Sequence, residues 1–146
     1  MQATEKGLSC LNSLLRGELA ATETYQQALA KVGNDTGSPE LRCIHDEHRE
    51  AANTLRQHIH DHGGNPEHGS GTWGAFAKAV EGSAKLVGQT AALKALKEGE
   101  EQGVKDYEKA LKGDSLAADC KRLISNRLLP QTRAHVPVLD RLMETK

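Results

Sequence analysis

Hydrophobic residues recur every three or four positions along most of the chain, the period of a helix that buries one face. Leu8, Leu11, Leu14, Leu15, Ala21, Tyr25, Ala28, Leu29 and Val32 keep this spacing and predict a first helix from about Thr4 to Val32. Gly33-Asn34-Asp35-Thr36-Gly37 then supplies turn chemistry. A second helix is expected to open on Ser38 as N-cap with Pro39 at its first helical position. Its inner face is marked by Leu41, Ile44, His45, His48, Ala51, Ala52, Leu55 and Ile59, and Gly63-Gly64-Asn65-Pro66 stops it. A third long helix is expected from about Thr90 to Lys112. A fourth is expected from Asp114 or Ser115 onward, with Pro130 and Pro137 kinking or interrupting it.

The connections suggest a topology. Short turns after the first and third helices make two antiparallel hairpins. The second and third helices are more than twenty residues apart, enough for a crossover along a bundle, with Gly69-Ser70-Gly71 and a short helix near Thr72–Lys85 inside it. Residues 1–146 read as a single all-α four-helix-bundle domain of two hairpins. Composition agrees, because only 3% of residues are aromatic and the apolar content is mostly Ala and Leu, which disfavours sandwiches and barrels.

Charge narrows the partners. Nineteen Lys and Arg stand against twenty Asp and Glu, and no basic run exists, so nucleic acid has no electrostatic footprint. No stretch approaches the roughly 20 apolar residues of a membrane span, and Met1–Lys6 does not resemble a signal peptide. Cys10, Cys43 and Cys120 are odd in number and far apart, the pattern of free thiols in a reducing cytoplasm.

One pattern occurs twice. Leu14-x-x-Gly17-Glu18-(x6)-Tyr25-x-x-Ala28-Leu29 on the first helix matches Leu96-x-x-Gly99-Glu100-(x6)-Tyr107-x-x-Ala110-Leu111 on the third, at one constant offset. The chain reads as two copies of a helix hairpin. Setting His48 against His135 also pairs Leu41 with Leu128 and Leu55 with Leu142, at a different offset. Glu18 and Glu100 sit on otherwise apolar faces. A carboxylate there is costly unless paired, hydrogen-bonded or metal-bound.

These residues resemble the ferritin-like family, in which helices one and three each supply a Glu and helices two and four each supply a Glu-x-x-His pair. The Gly-Glu-(x6)-Tyr-x-x-Ala-Leu pattern and the Gly-Gly-x-Pro end of helix two are similar, more narrowly, to a bacterial ferritin-like family known as a domain of unknown function. The resemblance implies a ferritin-like fold and a divalent metal, iron before Mn or Zn. Glu18 and Glu100 fill the single-Glu places, and His48 and His135 the histidine places. His45 and Thr132 stand where the family's other two glutamates would be, and Glu47 and Glu50 point away from His48 around the helix.

Two carboxylates neutralise one divalent ion, so Glu18, His48, Glu100 and His135, with His45, make a ligand set for one metal. Tyr25 and Tyr107 are placed to hydrogen-bond the carboxylates. The alternative is a buried ion-pair network without metal, in a non-enzymatic bundle acting through assembly or a partner. Trp73 and Phe76 in the crossover offer an apolar homodimer surface. The His58–His68 run reads first as a solvated helix end, although His58 and His62, four apart, can share a metal.

Overall fold

A computed structural model describes residues 4–32, 37–68 and 89–144. Among these, every regular element is helical: α1 (Glu5–Val32), α2 (Ser38–Asp61), α3 (Gln89–Lys112), α4 (Ala118–Leu123), a π-helical turn (Ile124–Leu128) and α5 (Leu129–Glu144). α1 packs along α2, α3 packs along α5, and α1 meets α3 between the two hairpins. The crossover, with Trp73, Phe76 and the expected short helix, lies outside the described residues.

Two boundaries differ from the sequence expectation. Ser38 is already helical, and Gly37 is the flanking residue, with φ 102°. Only glycine adopts that conformation without strain, and Leu142 Cδ2 lies 3.1 Å from where a Cβ on Gly37 would be. The fourth helix starts later than expected, at Ala118. The chain before it packs against α1 instead, so closely that a Cβ on Gly7 would lie 2.5 Å from the carbonyl oxygen of Ser115.

The fourth helical segment is also divided. Pro130 has no N–H, and its ring crowds the carbonyl four residues back. The π turn lies immediately before it, closed by the Leu129 N–H donating to the Ile124 carbonyl. Pro137, by contrast, lies within α5, which continues to Glu144. Each residue added to a helix rotates the downstream side chains by about 100°, so the π turn helps set which side chains of α5 face inward. Those are Leu129, Thr132, His135, Leu139 and Leu142.

The buried apolar residues form two clusters. One gathers Tyr25, Leu41, Ile44, Leu93, Leu96, Leu139 and their neighbours. The other gathers Leu11, Leu15, Leu55, Ile59, Tyr107, Ile124, Leu128 and theirs. Glu18, His48, Glu100 and His135 are buried as well. They belong to neither cluster, and they link all four long helical segments through polar contacts.

Candidate metal centre

α1 and α3 carry the glutamates, and α2 and α5 the histidines. His48 of α2 bridges both carboxylates, with Nδ1 2.5 Å from Glu18 Oε1 and Nε2 2.7 Å from Glu100 Oε2. His135 Nδ1 lies 3.0 Å from the other oxygen of Glu100. Two tyrosines complete the carboxylates: Tyr107 donates to Glu18 Oε2 and Tyr25 to Glu100 Oε2, each at 2.6 Å. Each tyrosine thus reaches the glutamate of the opposite helix. The antiparallel register that lays Tyr25 beside Glu100 also lays Tyr107 beside Glu18.

The network has one further member. Glu47 Oε1 lies 2.7 Å from His135 Nε2. Helical spacing turns Glu47 away from His48, yet its carboxylate closes the outer end of the chain of contacts. The reason is that its partner is on α5, not on its own helix, so spacing along α2 carries no signal for it.

Burial and charge oppose each other here. Burial alone would raise the Glu100 carboxyl, but the charge of His48 and hydrogen bonds from His135 and His48 outweigh it and hold the group at about 2. Burial likewise works against a charged His48, yet the charges of Glu100 and Glu18 leave its pKa well above the ordinary imidazole value. Burial, then the neighbouring carboxylates, push both tyrosines well above the ordinary phenol range, so they remain donors.

His48, Glu100 and His135 each offer one ligand atom, all within 4.8 Å of one another. Beside them is a cavity of about 30 Å³ whose lining includes Gly17, Glu18, His48, Glu100, Tyr107 and Thr132. That is room for about one water molecule or a small ligand. Glu18 and His45, the other two candidate ligands, are not among the three converging groups, and His45 is buried one turn before His48. Its Nδ1 lies 2.9 Å from Asp46, and its Nε2 has no partner. Thr132 directs its hydroxyl to the Leu128 carbonyl at 2.8 Å.

The histidine run at the end of α2 is not uniformly solvated. His60 and His68 are exposed, but His62 is only 6% exposed. Its Nε2 lies 2.9 Å from Asp119 Oδ2 at the start of α4. Distant packing between the hairpins decides this, and the local sequence does not.

A helical bundle with a buried layer of carboxylates and imidazoles is therefore the class that fold and site define. Residues 6–113 match the family model described as a domain of unknown function (DUF2383), and the chain belongs to that family. No curated protein and no solved structure matches it. Among the described residues, no helix is long and apolar enough to cross a membrane.

Proposed function

We propose that this chain is a ferritin-like bundle that binds one divalent transition-metal ion in its core, in a reducing cytoplasm, with iron favoured over manganese and zinc. The observation that carries the reading is the convergence of His48, Glu100 and His135. Two imidazoles and one carboxylate, with coordination positions left open, are the donor set of non-haem iron(II) sites.

Charge supports it. In the fully hydrogen-bonded network each imidazole donates from both nitrogens, because carboxylates only accept. Replacing the proton on His48 Nε2 and the proton on His135 Nδ1 by one divalent cation leaves the net charge unchanged. Glu18 on His48 Nδ1 and Glu47 on His135 Nε2 are then the outer carboxylates that fix ring orientation and raise ligand basicity. Tyr25 holds Glu100 in place. Iron would supply redox or oxygen-linked chemistry. The chain's own residues orient the ligands, and Gly17 leaves space beside them.

One observation favours the metal-free alternative, a bundle without enzymatic activity. The network already satisfies both nitrogens of His48 and His135 and both oxygens of Glu18 and Glu100. Anaerobic iron(II) loading of tag-free protein separates the two readings. Metal binding predicts one core ion per chain and proton release on loading. It also predicts loss of that ion in Glu100→Ala and a weaker site in Glu18→Ala. Unchanged metal content in both variants favours the metal-free bundle.

A further inference from the structure

We propose that His58, His62, Asp119 and Cys120 form a second metal site, taking one zinc-class divalent ion that staples the end of α2 to the start of α4. The four residues come from two places. His58 and His62 are one turn apart at the C-terminal end of α2, and Asp119 and Cys120 are adjacent in α4. Each offers one ligand atom, and the four atoms lie within 4.8 Å of one another.

The geometry is close to that of a tetrahedral ion. With zinc bonds of 2.0–2.3 Å, the edges of such a tetrahedron are roughly 3.3–3.6 Å long. His58 Nδ1 lies 3.6 Å from Cys120 Sγ and 3.7 Å from Asp119 Oδ2. His62 Nε2 and Asp119 Oδ2, 2.9 Å apart, need to part by only about half an ångström to match that edge.

Chemistry and charge point the same way. A thiolate and a carboxylate together cancel a divalent ion, and two imidazoles complete a four-ligand set suited to zinc. The thiol proton leaves to solvent as sulfur binds. Its contacts are looser than those of the core network: Cys120 Sγ meets His58 Nδ1 only at 3.6 Å, and the other ring nitrogen of His62, Nδ1, is buried with no partner. Four protein ligands leave no open position, so the ion is structural. It joins the first hairpin to the second at a point where α4 is only six residues long and adds little packing of its own.

Cobalt(II) titration of the tag-free full chain tests this, because a thiolate bound to cobalt gives a near-ultraviolet charge-transfer band that nitrogen and oxygen ligands do not. One equivalent of cobalt is expected to produce that band with tetrahedral visible bands. Zinc is expected to displace the cobalt and raise the thermal midpoint. Cys120→Ser should abolish the sulfur band, Asp119→Asn and His58→Gln should weaken binding at least tenfold, and Cys43→Ser should change nothing. Since His58 is partly exposed and Asp119 half-exposed at the side chain, those two variants carry the test if Cys120→Ser does not fold. Absence of the sulfur band in folded wild-type protein, its survival in Cys120→Ser, or full affinity in both Asp119→Asn and His58→Gln overturns the proposal.

Discussion

Tyr25 donates its hydroxyl to Glu100 on the opposite helix, 2.6 Å away and 75 residues on in the chain. Because Glu100 is fully buried, this is a neutral donor serving a buried anion, the kind of bond worth about 1.5–3 kcal/mol. Tyr25→Phe is expected to lower unfolding stability in urea by that amount. A double-mutant cycle should couple Tyr25 to Glu100 more strongly than to Glu18. Equal coupling to the two glutamates would contradict the crossed arrangement.

Removing one partner of the central pair should cost more. Glu100→Ala leaves His48 Nε2 and His135 Nδ1 without their carboxylate in the interior, and breaking a buried ion pair in this way costs about 3–5 kcal/mol. Glu47 is one-third exposed at its side chain, so Glu47→Gln should cost under about 1 kcal/mol, as for solvent-screened pairs. Urea unfolding of the two variants checks the ranking. A larger loss in Glu47→Gln would be inconsistent with the burial pattern.

The pair also dictates a pH dependence. Glu100 is held at about 2 against an ordinary 4.5. Its contribution is present above pH 4.5 and is lost as pH falls toward 2. His48 is shifted the other way, well above 6.5. Its contribution is full below 6.5 and fades as pH rises through the raised value. The metal-free pair should therefore stabilise most between pH 4.5 and 6.5. The measurement is the thermal midpoint of wild type minus that of His48→Gln/Glu100→Gln across pH. A difference that does not shrink below pH 4.5 would contradict the assignment.

Much of the fold was legible because burial leaves a helical period in the sequence. The long helices α1, α2 and α3 fall within a residue of their expected starts. The glutamates were legible for a related reason, since a carboxylate on an apolar stripe needs a partner. Four features were not legible. Which glutamate each tyrosine meets depends on the register between α1 and α3. Glu47 enters through α5, and His62 is buried by Asp119 across the hairpins. The π turn before Pro130 rotates α5 without a periodic signature.

Gly37 provides a local test of packing. With φ 102° and Leu142 at 3.1 Å from a built Cβ, Gly37→Ala should destabilise by about 1–2 kcal/mol. The metal content should stay unchanged, since the site lies farther along α2. Thermal unfolding beside metal analysis measures both. A stabilising effect would mean that the turn does not hold this conformation.

The most direct test of the core site is anomalous diffraction at the iron edge, from crystals of tag-free protein grown anaerobically with iron(II). A single strong peak within bonding reach of His48 Nε2, Glu100 and His135 Nδ1 is predicted, with Glu18 and Glu47 on the far nitrogens of the two rings. A core with no peak, and both imidazoles still bridging carboxylates, would contradict metal binding there.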